Sequence, residues 1–293
     1  MDNTTGPNPP VPRKLYKYRN FDLFALRMLT NSNVYFSDPA RFNDPLDCKP
    51  ELSVDIDIAS LEGLLMRMTP ESSRLLRKCR GAADFLVEPE EQTEYYFSAV
   101  VSSVKDTLFA KMGKIGVLSL AESWNCPLMW SHYGDQHKGI CLGFDSSQTS
   151  GVVVKKVDYE GARCIKCSDL INCFVDGNTE SLERIKETFF FTKANDWKYE
   201  REWRVTNDKS GEEESSPFEL KEVYFGMRCD DAVKTAVLNL KHNRELDYYE
   251  ISPEPGDFKL CARKINADDK QWYMPRPSAR VAFGLIPAAY DRA

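Results

Sequence analysis

The sequence predicts an α+β fold, built on a mixed, mainly antiparallel sheet with a helical insertion. Short segments of β-strand composition alternate irregularly with helical segments, without the regular strand and helix order that a doubly wound parallel sheet requires. A long helical stretch at about residues 56–112 interrupts the strands. The chain has 293 residues, 42% hydrophobic and 29% charged, which is the composition of a globular protein with a sizeable core.

The domain organisation follows from composition. Residues 1–12 are rich in Thr, Gly, Asn and Pro and have little apolar surface to bury, so we expect a disordered tail. No convincing interdomain linker interrupts the remainder. We therefore predict a single domain at residues 13–293, with its helical insertion at about 56–112.

The first half of the chain begins with an aromatic strand, Lys14–Arg19, followed by a helix that Asn20 can cap. A second strand is predicted at 34–37, and the turn-forming sequence 42–45 follows it. Apolar residues at helical spacing predict three helices in the insertion, at 56–68, 71–79 and 92–112.

The second half returns to strands at 115–121, 139–144 and 152–157, with a short helix at 127–134 that Pro127 can begin. A longer helix is predicted at 181–194. Segments 202–206 and 218–225 are expected to form a hairpin around the acidic loop 207–217, which contains three consecutive glutamates. A helix at 230–240 and strands near 246–251 and 258–262 complete the chain.

Charge and cysteine content indicate the compartment and the partners. The 45 acidic and 39 basic side chains are scattered and give a net charge of -6, so we expect no obligatory nucleic-acid partner. The sequence shows neither a secretory signal nor the roughly 20 consecutive apolar residues that span a bilayer. The nine cysteines do not have the regular spacing of a disulfide framework, which indicates that they are reduced thiols. We therefore predict a cytoplasmic protein with no membrane partner.

The first candidate motif, residues 129–139, contains two of the three histidines, His132 and His137, beside Tyr133. Histidine moves protons near neutral pH and binds metals, but it also caps helices and packs in cores. A five-residue step is poor for a shared metal on a helix. The Cys164-x2-Cys167-x5-Cys173 cluster has no fourth ligand, so no metal is expected.

The second candidate motif, residues 197–204, leads into a strand. Alternation would place Glu200, Glu202 and Arg204 on one side of this strand, with Arg201 and Trp203 on the other. Two carboxylates and a guanidinium on one side indicate either an ion-pair network or a site in which a glutamate orients a hydroxyl and stabilises a cation. Spacing alone leaves both interpretations open.

Four motifs in order make the sequence resemble a bacterial family, domain of unknown function 2971 (DUF2971), over most of residues 14–225. They are Leu15-Tyr16-Lys17-Tyr18-Arg19, then Tyr35-Phe36-Ser37-x-Pro39-x-x-Phe42-Asn43-Asp44-Pro45-x-Asp47, then Leu128-Met129-Trp130-Ser131-His132-Tyr133 with His137-Lys138-Gly139-Ile140-Cys141, and Trp197-x-Tyr199-Glu200-x-Glu202-x-Arg204.

A more distant likeness is to ADP-ribosyltransferases, because Arg19, Tyr35 or Ser37, and Glu200-x-Glu202 follow that family's order. The likeness implies an ADP-ribosyltransferase-like fold with NAD as substrate, in which a glutamate stabilises the oxocarbenium-like state. Catalysis would then fall to three residues: Glu202, Glu200 and His132. Ligand binding would fall to six others: Arg19, Tyr35, Ser37, Tyr133, His137 and Arg204.

The leading hypothesis is binding of a nucleotide-like small molecule, with NAD-dependent ADP-ribosyl transfer to a protein acceptor or NAD hydrolysis. One alternative is a non-catalytic ligand-sensing or interaction module, in which the same residues form a structural network. Another is a metal-dependent hydrolase or nuclease that uses His132, His137, Asp44 and Asp47, although the turn sequence around Asp44 equally indicates a turn-capping residue. The residues alone leave open whether the protein is an enzyme.

Overall fold

The computed structural model describes residues 9–148, 151–240 and 245–266, together with Asp269 and Tyr273. Over these residues the fold is α+β with a mixed, mainly antiparallel sheet, as the sequence predicts. Residues 1–8 of the expected tail lie outside the described residues. Within the described part of the chain, no helix is both long enough and apolar enough to cross a membrane.

Strands and helices alternate irregularly along the chain. The strands are β1 (Lys14–Arg19), β2 (Asn33–Phe36), β3 (Glu51–Ser53), β4 (Gly116–Ala121), β5 (Ile140–Asp145), β6 (Val154–Lys156), β7 (Cys164–Lys166), β8 (Glu202–Asn207), β9 (Glu212–Ser215), β10 (Glu219–Phe225), β11 (Asp247–Pro253) and β12 (Leu260–Lys264). The α-helices are α1 (Leu23–Asn31), α2 (Ile58–Met68), α3 (Ser72–Ala83), α4 (Pro89–Met112), α5 (Pro127–Tyr133), α6 (Cys167–Phe174), α7 (Thr179–Phe190) and α8 (Asp231–Leu238).

The chain divides into two compact units. The first unit consists of the described residues within Met1–Leu15, Ser32–Ser123 and Asp145–Glu219. The second consists of those within Tyr16–Asn31, Trp124–Phe144 and Leu220–Ala293. The assignment of residues 13–293 to a single domain stays a prediction.

In the first unit, β8 lies between β4 and β6 and pairs antiparallel with both. Strands β2 and β9 form an antiparallel pair, and β3 and β7 form a parallel pair. Helices α2, α3 and α4 cover most of the stretch where the sequence predicts the insertion.

The helical core of the first unit follows from apolar residues at helical spacing. Val100, Val104 and Leu108 recur four residues apart along α4 and are buried. Asp57 caps α2 by accepting from the backbone nitrogen of Ser60. Apolar stripes and caps of this kind are local signals, which is why the sequence predicts these helices well.

In the second unit the strand order is β12-β11-β10-β5-β1, where residues 16–19 of β1 belong to this unit. Strands β10 and β11 are parallel, whereas β11 and β12 are antiparallel. Residues 140–144 of β5 are buried without interruption, as expected of a strand with neighbours on both sides.

Two local predictions are wrong. Segments 202–206 and 218–225 do not form a hairpin: β8 lies between β4 and β6, and the intervening loop contains β9, which pairs with β2. The reason is burial, since the first four residues of β8 are buried and the strand pairs on both sides. At α1, Asp22 rather than Asn20 accepts the hydrogen bond from the backbone nitrogen of Ala25.

Candidate functional site

A buried ionic cluster in the first unit is centred on Arg204, whose side chain is fully buried. Its Nη1 and Nη2 atoms donate to the two carboxylate oxygens of Asp47 at 3.0 and 2.6 Å. Its Nε and Nη2 atoms donate to the two oxygens of Glu202 at 2.8 and 2.9 Å. Nη1 also donates to the carbonyl of Phe190 at 2.6 Å. Arg204 therefore binds two carboxylates, each through two hydrogen bonds.

Lys193 is the second cation of this cluster, and it is also buried. Its ammonium lies 2.5 Å from a carboxylate oxygen of Glu200, 3.1 Å from one of Glu202 and 3.4 Å from one of Asp47. The ring of Trp197 lies over it, with its centroid 5.2 Å from the nitrogen. Three carboxylates and two cations thus share one buried region.

The mutual attraction of these charges shifts their pKa values. Burial raises the pKa of Glu202, but Arg204 and Lys193 outweigh this effect and hold it well below its ordinary range. Burial lowers the pKa of Lys193, but Glu202, Glu200 and Asp47 together raise it above its ordinary value. Glu202 and Lys193 are therefore both charged at neutral pH.

The local backbone explains how Glu202 enters the cluster. The 3-10 helix Asn195–Glu200 ends at Arg201, which adopts a left-handed conformation with φ of 44° and turns the chain into β8. The backbone nitrogen of Glu202 then donates to the hydroxyl of Tyr159 at 2.9 Å. Glu200 therefore precedes the strand that the sequence analysis assigned to it.

Asp47 reaches the cluster from a tight turn. The side chain of Asp44 accepts from the backbone nitrogen of Leu46 at 2.9 Å, and the carbonyl of Asp44 accepts from the nitrogen of Asp47 at 3.2 Å. Asp44 is therefore a turn-capping residue, one of the two interpretations that the sequence offered. Asp47 is bound to Arg204.

The second unit contains a left-handed turn directly after α5. Asp135, Gln136 and His137 have φ angles of 48°, 52° and 67° in succession. Residues other than glycine adopt this conformation at a cost, and such strain concentrates at functional sites. The turn is held by backbone hydrogen bonds from His137 and Gly134 to the carbonyl of Trp130. The ring of His137 lies nearly parallel to that of Trp130, with centroids 6.1 Å apart.

Close backbone packing brings the end of β1 to this turn. A Cβ atom at Gly139 would lie 2.1 Å from the carbonyl oxygen of Arg19, and one at Gly226 would lie 2.2 Å from that of His137. Arg228 follows, and its backbone nitrogen donates to the His137 carbonyl at 2.8 Å. Glycine is needed at both positions because any side chain would collide with the neighbouring backbone.

Two buried side-chain atoms in the described part of the chain lack a hydrogen-bond partner, Arg19 Nε and His137 Nδ1. Both belong to this end of the second unit. Arg19 donates through Nη2 to Asp22 and lies over the ring of Phe24, whereas its Nε donates to nothing described. Burial, followed by the charge of Arg228, lowers the pKa of His137. A hydrogen-bond acceptor would satisfy Arg19 Nε, and it would also satisfy His137 Nδ1 in the tautomer that carries its proton there.

The other predicted site residues have ordinary surroundings. His132 is exposed and Tyr133 half-buried at the end of α5, with ring centroids 6.3 Å apart. Tyr35 pairs with Glu213 across β2 and β9. Ser37 forms an isolated bridge with Val117 through two backbone hydrogen bonds of 2.9 Å.

Of the predicted site residues, the first unit therefore brings Glu200, Glu202 and Arg204 together and also holds Tyr35 and Ser37. Arg19, His132, Tyr133 and His137 belong to the second unit. Lys193 and Arg228 were not predicted, because a lone basic residue beside a helix or strand carries no sequence signal. Asp47 was predicted as part of the second family motif and as a possible metal ligand, but not as a partner of Arg204.

Comparison with known proteins identifies a family. Residues 129–205 match a family model described as protein of unknown function (DUF2971). Over this segment the chain is similar to the DUF2971 family. No curated protein and no solved structure matches it.

The DUF2971 match includes parts of both candidate regions. It contains the left-handed turn with His137, and it contains Lys193, Glu200, Glu202 and Arg204 of the ionic cluster. Arg19 and Asp47 precede the matched residues. The likeness to ADP-ribosyltransferases gains no support from these comparisons and stays a prediction.

Proposed function

We propose that this protein is a non-catalytic binding module whose second unit binds the anionic part of a nucleotide-like small molecule. The ligand binds where Arg19, His137 and Arg228 lie at one end of the sheet. The observation that carries the proposal is the pair of buried nitrogens, Arg19 Nε and His137 Nδ1, that lack a partner among the described residues.

The two buried nitrogens without a partner favour a bound ligand at this position. More than nine in ten buried polar groups in proteins have a partner, so each exception calls for a ligand, a water or an ion. A guanidinium binds phosphate and carboxylate through several donors at once. Burial, and after it the positive charge of Arg228, lowers the pKa of His137, so Arg228 offers a second cation near this ring. An anion suits this end of the sheet better than a cation or an apolar group.

The ionic cluster of the first unit supports a non-catalytic role for Glu202. Its side chain is nearly fully buried, and Arg204 and Lys193 bind its oxygens. To hold a ribose hydroxyl during ADP-ribosyl transfer, Glu202 would first have to release these partners. Leaving them buried and unpaired costs several kcal/mol, roughly 3–5.

The binding test is calorimetric titration of the full chain with inorganic pyrophosphate and ADP-ribose. We expect both to bind, and we expect Arg19→Gln to weaken both by at least about tenfold. Lys138→Gln is the matched control, because it removes one exposed positive charge beside His137 and should change affinity less than about threefold. Absence of binding, or equal losses in the two variants, would overturn the proposal.

A second variant protects this test from a folding defect, since Arg19 also holds Asp22, which caps α1. His137→Asn removes the imidazole and keeps a residue that tolerates positive φ. It should melt near the wild-type temperature and bind pyrophosphate more weakly. Wild-type affinity in this variant would exclude His137 from the site.

The enzymatic alternative has its own measurement. Purified wild-type protein is incubated with NAD and a cell lysate as protein acceptor, and released nicotinamide is quantified beside Glu202→Gln. We expect no release above that of a buffer control. Release by the wild type that disappears in a folded Glu202→Gln variant would replace the proposal with ADP-ribosyl chemistry.

A further inference from the structure

Three aromatic rings of the second unit stack in a row. Tyr224 of β10 lies between Tyr249 of β11, at a centroid distance of 4.7 Å, and Trp124, at 4.9 Å. The planes differ by only 13° and 12°. Tyr224 is buried, whereas Trp124 is half-buried and is the last ring of the row among the described residues. One face of the Trp124 indole is therefore covered by Tyr224, and the indole keeps access to solvent.

Glu222 fixes the position of the stack. Its buried carboxylate accepts from the hydroxyl of Tyr224 at 3.1 Å, and Tyr16 packs edge-on against Tyr224 at 6.0 Å. Gly143 admits the carboxylate, because a Cβ there would lie 2.8 Å from a Glu222 oxygen. Burial, with Glu222 next, raises the pKa of Tyr16 to about 12. The rings are thus held before any ligand arrives, which lowers the entropy cost of binding.

Trp130 connects this stack to the anion-binding end. Its Nε1 donates to the carbonyl of Trp124 at 2.7 Å, and its ring lies parallel to that of His137. Trp130 is fully buried, and Tyr18 packs edge-on against it at 5.1 Å. Trp124 precedes α5 and His137 follows it. The buried indole of Trp130 therefore contacts both the residue that ends the aromatic stack, Trp124, and a residue of the proposed anion site, His137.

We propose that the ligand is a purine-like nucleotide whose base stacks on Trp124 while its phosphate groups contact Arg19, His137 and Arg228. The inference rests on the proposed function and adds the base to it. Every base offers a flat face to an aromatic side chain, and a purine covers more of an indole than a pyrimidine does. No covalent step is involved.

The test compares AMP with ribose 5-phosphate, which lacks only the base, and ADP with inorganic pyrophosphate, which lacks the base and the ribose. Affinities are measured by calorimetry for the full wild-type chain and for Trp124→Ala. We expect the wild type to bind AMP more tightly than ribose 5-phosphate. Trp124→Ala should weaken ADP binding by about 10- to 100-fold and leave pyrophosphate binding unchanged. Quenching of tryptophan fluorescence by ADP should fall in parallel.

Two further variants control for aromatic area and folding. Trp124→Phe keeps a ring and should retain most of the ADP affinity. If Trp124→Ala fails to fold, Trp124→Leu replaces it, because it keeps apolar volume without a ring. Phe258→Ala removes an aromatic side chain that is 95% exposed in the same unit, and it should bind all probes as the wild type does.

The outcomes separate this inference from the proposed function. Equal wild-type affinity for AMP and ribose 5-phosphate overturns the stacked base and leaves the anion site. The same holds if Trp124→Ala loses pyrophosphate binding as much as ADP binding, since Trp124 would then only support the fold. No binding of any probe overturns the proposed function, and the stacked base with it.

Discussion

Arg204 shows how much one side chain contributes to the first unit. It joins Asp47, 157 positions earlier in the chain, to Glu202, two positions earlier. Replacing a whole buried ion pair by apolar side chains often changes the stability of a protein little. Removing one partner is strongly destabilising, because the other charge stays buried without enough compensation. The sequence offered an ion-pair network as one interpretation of Glu200, Glu202 and Arg204. In the structure these residues do form such a network, together with Asp47 and Lys193.

The corresponding prediction concerns Arg204→Met. Loss of the guanidinium leaves three buried carboxylates, those of Asp47, Glu200 and Glu202, to share the one ammonium of Lys193. The free energy of unfolding should therefore fall by about 3–5 kcal/mol. Arg184→Met is the matched control, because Arg184 is 51% exposed where it pairs with Asp169. That change should cost about 1 kcal/mol or less. Urea denaturation of both variants measures the difference, and similar losses would contradict it.

At the scale of elements, two glycines have opposite surroundings: one packs against a neighbouring backbone, and the other lies in a helix with free space around it. A Cβ at Gly139 would lie 2.1 Å from the backbone of Arg19, whereas a Cβ at Gly63 in α2 meets nothing within 4 Å. Gly139→Ala should destabilise the protein by roughly 1–3 kcal/mol through overpacking. Gly63→Ala should stabilise it by roughly 0.5–1 kcal/mol. Opposite shifts in melting temperature are the expected result, and shifts of the same sign would contradict it.

Glu250 connects several elements of the second unit. It accepts from Lys234 of α8, from Arg263 of β12 and from Tyr273 at 2.9, 2.6 and 2.6 Å. Burial raises the pKa of Glu250, but these three hydrogen bonds outweigh it and lower the pKa to about 2. A carboxyl whose pKa is lowered on folding stabilises the protein above its ordinary pKa, and this stabilisation is lost as the pH falls through the folded value.

The prediction for Glu250→Gln is a pH-dependent loss of stability. At pH 7 the variant should be less stable than the wild type by about 1–2 kcal/mol, allowing for solvent screening. The difference should shrink as the pH falls from about 4.5 to 2. The measurement is urea denaturation across this range, with exposed Glu254→Gln as control. A difference that stays constant with pH would show that Glu250 acts through packing instead of charge.

At the scale of the whole molecule, the two units share the chain in alternating segments. The first unit needs β8, which pairs with β4 over six residues, and the second needs β10 beside β5. A fragment of residues 1–144 contains β4 and most of β5 without these partners. We expect it to show no cooperative thermal transition by circular dichroism, whereas the full chain unfolds cooperatively. A cooperative melt of the fragment would contradict this.

Much of the secondary structure could be predicted, because its signals are local. Apolar residues four apart predicted α4, Pro127 marked the start of α5, and an aromatic run predicted β1. The acidic segment 212–215 was expected to be a loop, because three glutamates give no apolar alternation. It forms β9 because β2 offers a strand partner.

Only part of the candidate site could be predicted, because local spacing is visible in the sequence and contacts between distant residues are not. Glu202 and Arg204 are two residues apart on one strand, so alternation brings them together. Lys193 joins them only because the chain between α7 and β8 folds back, and nothing in its neighbours marks it. Arg19 and His137 were noticed through their motifs. Their buried nitrogens appeared only in the folded second unit.

By itself, then, the sequence determined the α+β class, most helices and strands, and the family motifs, since periodicity, turn residues and caps act over a few positions. The tertiary structure alone decided the strand neighbours of β8, the pairing of Asp47 with Arg204 and the stacking of Trp124 on Tyr224. These depend on contacts between residues far apart in the chain. Such contacts form only once the cost of closing the intervening loops has been met by the whole fold.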